Sequence, residues 1–314
     1  MIATAQKPAK GGTIKRFFTL LWKQKALVGL CLLPMALVFI FQYGPMYGVL
    51  IAFKEYKPSK GVWASQWVGF ANLREFFENV NCLKIILQTL KVGIYSLILT
   101  YPMPIILALM LNEVSSKAFK RTVQTISYIP HFISIVVICT MLNKFGAVNG
   151  LFNKIRSFFG ADAVNMNEGT RYFMLFYIGS AIWQGAGWGS IIYLSALSNV
   201  DTSLYDVANI DGANRFQKIR HVALPAILPT TTMVLILNSG NILSQDFTKI
   251  LLLQNNTNRT DTEVISTYVY TMGIANGRFD YGTAVNLMVS LVSLILVLTT
   301  NKIVQLIDSE QSIW

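Results

Sequence analysis

Two groups of residues carry most of the polar chemistry that this sequence offers. The first is the run Ser203-Leu-Tyr-Asp-Val-Ala-Asn-Ile-Asp-Gly-Ala-Asn-Arg-Phe-Gln-Lys-Ile-Arg-His-Val-Ala-Leu-Pro225, which contains the carboxylates Asp206 and Asp211. Paired carboxylates can do general acid and base work, but both have simpler roles here. Ser203 followed by Asp206 has the form of a capping box, and Asp211 precedes Arg215 by four residues, the order that gives a helix-supporting ion pair. The second group is Asn238, Ser239, Asn241, Ser244, Gln245 and Asp246, set within an apolar stretch. Asn238, Asn241 and Gln245 fall at i, i+3 and i+7, one helical face, and amides both donate to and accept from hydroxyls. Contact with a hydroxyl-rich ligand and hydrogen bonding to a neighbouring helix use the same residues, so both readings stand. Other reactive groups are scattered. Cys31, Cys82 and Cys139 are isolated singles with no second ligand type nearby, and His131 and His221 are isolated too, which points to neither disulfide, metal site nor catalysis.

The elements that must position these groups are membrane helices. Of the 314 residues 53% are hydrophobic and 13% charged, against roughly a quarter charged in soluble domains. The net charge of +11 comes from Lys and Arg placed between or beside apolar blocks, which suits membrane loops better than a nucleic-acid surface. Residues 1–25 form a basic segment holding Lys7, Lys10, Lys15, Arg16, Lys23 and Lys25 without an acid, and the positive-inside rule keeps such an end in the cytoplasm. The apolar block after it, to about Phe53, is too long for a signal peptide and reads as a first span. Further spans are expected at 85–111, 122–143, 172–197, 226–250 and 282–306. The fold class is thus all-α with about six transmembrane helices, one membrane domain over 26–310, and a cytoplasmic tail at 311–314. Both termini then lie inside, as do the short basic segment 112–121 and the loop 198–225. The outside segment 54–84 holds Trp63, Trp67, Phe70, Phe76 and Phe77, fitting either a strip in the headgroup layer or packing on helix ends.

Within the loop, Tyr205, Ala208, Gly212, Phe216, Ile219 and Ala223 recur every three or four residues, as one apolar helical face would. Gly212 interrupts the helix and marks a bend or a close backbone approach. In the fourth span, Trp183-Gln-Gly-Ala-Gly-Trp-Gly189 offers two indoles as flat surfaces for a ring-shaped ligand, or for core packing, around Gln184 and near-consecutive glycines. Lys91, in the second span, is a field source for an acidic ligand or a snorkelling cation.

Asp206-Val-Ala208, three residues, Gly212, nine residues and Val222-Ala-Leu-Pro225 resemble the EAA loop of importer permeases of the ATP-binding-cassette class, whose pattern is EAA, x3, G, x9, I-x-L-P. Asp206, Val207 and Val222 depart conservatively from it. The apolar blocks along roughly 25–310 are similar to the sugar-importer branch, and Asn238–Phe247 with Ser266-Thr-Tyr-Val-Tyr270 resemble the permeases for complex oligosaccharides. The resemblance implies a multi-pass subunit of the bacterial inner membrane. Its partners would be a second homologous permease, two ATPase subunits, an extracytoplasmic binding protein and an oligosaccharide, with lipid around and no nucleic acid. Tyr205, Asp206, Ala208, Asp211, Gly212, Arg215, Leu224 and Pro225 would couple to the ATPase. Asn238, Asn241, Gln245, Asp246, Trp183, Gln184 and Trp188 are the candidates for the substrate pathway. ATP and Mg would belong to the partner, because the chain has no G-x-x-x-x-G-K-[ST] phosphate loop. The rival is an ion-coupled secondary transporter, which needs intramembrane carboxylates and often inverted repeats. Asp246 is the only acid well within a span and no repeat is visible. A membrane enzyme would need clustered His, Cys or carboxylates at the membrane face.

Overall fold

The computed structural model describes residues 22–308. The chain divides into two compact units, one ending at Ile51 and one beginning at Ala52. In the first, α1 (Lys25–Val38) passes into a π-helical turn, Phe39–Tyr43, and then a 3₁₀ stretch, Gly44–Phe53. Pro34 removes one N–H from the α ladder, and the α geometry is lost before Gly44-Pro45 is reached.

The second unit opens with an antiparallel hairpin. β1 (Lys54–Glu55) pairs with β2 (Gln66–Trp67), Lys54 opposite Trp67, around a single turn of helix, α2 (Gly61–Ala64). α3 (Ala71–Glu78) follows. Two ladder pairs hold little by themselves, and side chains supply the rest. The buried Lys54 ammonium donates to the carbonyls of Val62 (2.7 Å) and Trp63 (3.3 Å), and Asn72 donates to those of Ala52 (3.0 Å) and Lys54 (3.1 Å). The aromatic residues of this segment divide. Phe76 is buried with Cys82, Ile85, Tyr268 and Tyr281, whereas Trp63, Trp67, Phe70 and Phe77 are exposed.

α4 (Cys82–Thr100) and α5 (Pro102–Asn112) form a 31-residue rod, about 46 Å long at 1.5 Å per residue and ample for a ~30 Å hydrocarbon core. The span expected at 122–143 is not continuous. α6 (Lys117–Tyr128) ends in a 3₁₀ turn, Ile129–Phe132, before α7 (Ile135–Gly146) begins. Pro130 has no N–H to extend the ladder, and Ile133 is extended at ψ 130°. The membrane-length apolar segment here is instead Ile135–Phe158, made of α7 and α8 (Leu151–Phe158). α9 (Thr170–Ser198) is unbroken over 29 residues. Its Gly187 lies against the Ser127 carbonyl and its Gly189 against Pro104, closer than a Cβ would permit, so these glycines serve helix approach rather than bending.

The loop consists of α10 (Thr202–Ile210) and α11 (Arg215–Lys218). α11 continues through a π turn, Ile219–Ala223, into α12 (Leu224–Ser239) and a 3₁₀ turn, Gly240–Ile242. Arg215–Ile242 is therefore one 28-residue rod, about 42 Å long. The span expected at 226–250 stops at Ile242. Leu243–Asp246 is non-helical and α13 (Phe247–Leu253) starts afresh. α14 (Arg259–Thr262), α15 (Ile265–Val269), a π turn at Tyr270–Ala275 and α16 (Phe279–Ile307) complete the unit.

Five segments of the described residues are long and apolar enough to cross a membrane, and α9 matches them in length with a more polar sequence. Three buried clusters join the helices of the second unit. Val92, Cys139, Phe173, Phe176, Tyr177 and Ile250 tie α4, α7, α9 and α13 together, and Ala108, Leu109, Tyr193, Leu197, Ala223 and Ile227 fix the rod against α5 and α9. The third centres on Phe76, Tyr268 and Tyr281. The all-α membrane class expected from the sequence is the one found.

Candidate functional site

The loop starts at Asp201, whose Oδ1 accepts the Ser203 N–H (2.9 Å) and caps α10. Hydrogen bonding to its ionised form holds this carboxyl below the usual carboxylate range. The capping box expected at Ser203 and Asp206 does not form, because the helix begins earlier and Ser203 already lies inside it. α10 ends at Ile210 with Asp211 as its C-cap, and Gly212 takes φ +72°, a left-handed conformation open to glycine at little cost. The Gly212 N–H donates to the Asn209 carbonyl (3.1 Å) and the Ala213 N–H to that of Ala208 (2.9 Å), the paired bonds of a Schellman C-cap. That turn leaves Asp211 at the cap of α10 and Arg215 at the start of α11, and the expected ion pair between them is absent from those of the described residues. A reciprocal capping box does occur at Asn214 and Gln217 (2.9 and 2.7 Å), and Lys218 donates to Asn209 Oδ1 across the turn.

The turn also divides the expected apolar face. Tyr205, Ala208, Ile219 and Ala223 face the body of the unit, and Tyr205 accepts a hydrogen bond from Asn112 of α5 (3.3 Å). Phe216 faces out. Asp206, Asp211, Gly212, Arg215, Leu224 and Pro225 are exposed as well. Joining them are Leu204, Val207 and Ile210, spaced by three along α10, with Ile210 86% exposed. The sequence reading passed over these three, although their period was visible. A contiguous apolar patch on a polar loop marks a surface made for a partner.

At the other end of the rod, Asn238, Asn241, Gln245 and Asp246 border one cavity of about 450 Å³, in the range of small-molecule sites. They do not share a helical face, as their spacing suggested. Asn238 comes from α12, Asn241 from the 3₁₀ turn, and Gln245 and Asp246 from the non-helical break. The opposite wall is Ser96, Thr100 and Tyr101 of the α4–α5 rod with Tyr177 of α9. Gly93 of α4 sets the break in place, since the Ile242 carbonyl and Gln245 occupy the space a Cβ would need. Gln245 Nε2 donates back to the Ile242 carbonyl, while its Oε1 is buried without a partner. Asp246 caps α13 by accepting the Lys249 N–H (3.0 Å). The wall thus presents amides, hydroxyls and one carboxylate, the groups that bind hydroxyls. Among the described residues no cluster of three or more His, Cys, Asp or Glu could hold a metal.

Lys249 was not singled out from the sequence. Its side chain is buried, with Nζ 5.4 Å from the centre of the Tyr177 ring, one ring away from the cavity. The signal was present, since a lysine within a span is costly and rarely idle. The remaining pathway candidates lie elsewhere. Trp183 lines an apolar groove of about 290 Å³ with Met141, Phe145 and Phe152. Gln184 donates to the Ile133 carbonyl (3.2 Å), a group left over at the Pro130 break. Trp188 stacks on His131 (4.6 Å between ring centres) with Phe132 edge-on, and Lys91 is exposed on α4.

Comparison with known proteins agrees with this geometry. The family model described as "Binding-protein-dependent transport system inner membrane component" matches residues 100–312. The polygalacturonan/rhamnogalacturonan transport system permease protein YteP of Bacillus subtilis (strain 168) is 39% identical over 98% of this chain and 98% of its own. A chain of a bacterial ABC transporter involved in the import of the acidic polysaccharide alginate superposes with a TM-score of 0.85 at 36% identity, covering 93% of this chain and 99% of that one. A chain of a bacterial alginate ABC transporter in complex with an alginate pentasaccharide-bound periplasmic protein gives 0.84 at 36% identity, covering 93% and 98%. With a rod that carries an exposed apolar loop at one end and a polar cavity at the other, this multi-pass protein belongs to the family of binding-protein-dependent transport inner-membrane components, among the sugar and oligosaccharide permeases of ABC importers.

Proposed function

We propose that the chain forms half of the translocation path of an ATP-driven oligosaccharide importer, pairing with a second permease and taking its energy from two separate ATPase subunits. The observation that carries this reading is the continuity of Arg215–Ile242. One helix begins at the exposed loop and ends in the residues that border the cavity, so a displacement of the loop reaches Asn238 and Asn241 through a single rigid element. Leu204, Val207, Ile210 and Phe216 dock on the ATPase, and Gly212 shapes the turn that presents them. Closure of the ATPases on ATP moves the loop, and the cavity between the two permeases changes the side to which it opens. Swinging such a two-state assembly from 1:99 to 99:1 requires about 5.5 kcal/mol of differential binding, within reach of two nucleotide-driven closures. An external binding protein delivers the sugar, and both termini lie in the cytoplasm. The substrate is an acidic oligosaccharide, a reading supported by the polygalacturonan and alginate systems to which the chain is similar.

The test is ATP hydrolysis by the co-purified complex in lipid, with and without sugar-loaded binding protein, for wild type and Gly212→Val. A β-branched residue at φ +72° is strained, so this variant should lose stimulation by more than tenfold or fail to retain the ATPase. Transport by the chain alone, without any ATPase, would instead establish ion-coupled secondary transport.

A further inference from the structure

We infer that Lys249 is the charge-reading residue of the cavity, the cation that makes the permease prefer uronate units over neutral sugars. The inference rests on the oligosaccharide reading above and gives the acid preference a specific residue. Lys249 is 3% exposed, and no carboxylate of the described residues lies within ion-pair distance of its ammonium. It stands 5.4 Å from the centre of the Tyr177 ring, and the Asp246 carboxylate acts on it from beyond ion-pair distance. Taking an ammonium out of water without a direct ion pair is expensive, more so at membrane depth, and a carboxylate held beyond contact, as Asp246 is, leaves room for a second negative charge from a ligand. Tyr177 is itself a wall of the cavity, so the cation stands one aromatic ring behind the space where a sugar would sit.

Asp246 is the other charge at this place. One of its oxygens is engaged by the Lys249 backbone N–H, and its side chain borders the cavity. It does not contact the Lys249 ammonium, so it is free to accept sugar hydroxyls. A carboxylate for hydroxyls, with a buried cation behind it, fits a monomer that carries both hydroxyls and a carboxylate. Uronic acids are that monomer. A neutral hexose would leave the cation with only the distant Asp246 charge, and a substrate rich only in negative charge would be repelled by Asp246.

The experiment uses the full complex with its binding protein in vesicles. Pentasaccharides of galacturonate and of alginate, each in its acid form and with its carboxyls reduced to hydroxymethyl groups, are compared as substrates. For wild type the acid forms should be imported with the lower KM. Lys249→Met, which keeps length and apolar packing, should reduce the acid-to-neutral preference by about tenfold, the scale of one charge pair in a partly desolvated site. Asp246→Asn keeps the cap on α13 and should raise the acid preference severalfold. Equal losses for acid and reduced forms in Lys249→Met, or an Asp246→Asn complex that loses both alike, would show that the two charges compensate one another structurally, and the inference falls. Should Lys249→Met fail to assemble, the direction of the Asp246→Asn change decides by itself. Preference of the wild type for the reduced forms overturns the inference and leaves the permease reading intact. Import of none of the four removes both.

Discussion

The two ends of the Arg215–Ile242 rod break opposite rules. At the loop end, apolar side chains stand in the open, with Ile210 86% exposed among capped, fully satisfied backbone turns. At the cavity end, polar side chains stand indoors, with the Gln245 Oε1 buried without a partner and the Lys249 side chain buried outside any direct ion pair. Each violation costs free energy in the isolated chain, and under the proposed function each is relieved by a different occupant, an apolar groove for the first and a polar solute for the second. The two surfaces therefore depart from ordinary burial in opposite senses and are linked by the rod between them.

If that division is right, Ile210→Asp should act at the loop end alone. It should weaken ATPase association by about 30-fold or more, the ~2 kcal/mol or above typical of a central anchor, measured by titrating labelled ATPase against the reconstituted permease pair. Sugar affinity of the assembled complex should hardly move. Gly93→Val works from the other end. A branched side chain has to displace the Ile242 carbonyl or Gln245, an overpacking cost of about 2 kcal/mol. A fall of roughly 2–4 °C in the unfolding temperature of the complex, together with impaired transport, would reveal it. A smaller effect is expected of Asn241→Ala, which removes one hydroxyl partner at about 1 kcal/mol and should raise the transport KM some fivefold without altering ATPase binding.

The least effect belongs to a site remote from both ends. Arg278 donates two hydrogen bonds to Glu75, and this pairing depresses the Glu75 carboxyl below its ordinary range. A depressed carboxylate contributes stability above its unfolded value of about 4.3 and loses it as pH falls through the lower folded value. Both side chains are partly exposed, so a few tenths of a kcal/mol is the expected scale. Glu75→Gln should therefore lower the melting temperature slightly at pH 7 and flatten its decline below about pH 4.

How much of this was legible in the sequence follows from where local backbone demands coincide with residue type. The turn at Gly212 was legible because its left-handed φ admits glycine most easily, and the spacing to Leu224-Pro225 fixed the register of the loop. The ion pair of Asp211 with Arg215 was misjudged for the same reason, since i, i+4 counting assumes that the helix survives the glycine. The break at Leu243–Asp246 was not legible, because Asn238, Asn241 and Gln245 imitate helical periodicity while a contact from another helix, Gly93 of α4, holds the chain open. The break at Ile129–Ser134 announced itself through Pro130, yet the apolar residues on either side outweighed it. Lys249 was hidden within Phe247-Thr-Lys-Ile-Leu, where a run of apolar residues disguises the one that matters.

The π turn at Ile219–Ala223 carries a consequence of angle rather than distance. A π turn absorbs one residue more than an α turn, and each α-helical residue advances the azimuth by about 100°. One residue deleted here can be absorbed by relaxing the π turn to a plain α turn, with little change of phase. One residue inserted has no such outlet, because the π turn already holds its extra residue; added in α geometry, it would leave both surfaces intact but rotate one about the rod relative to the other by roughly a quarter of a revolution. The interval between Gly212 and Val222 is therefore a phase setting that tolerates a loss better than a gain.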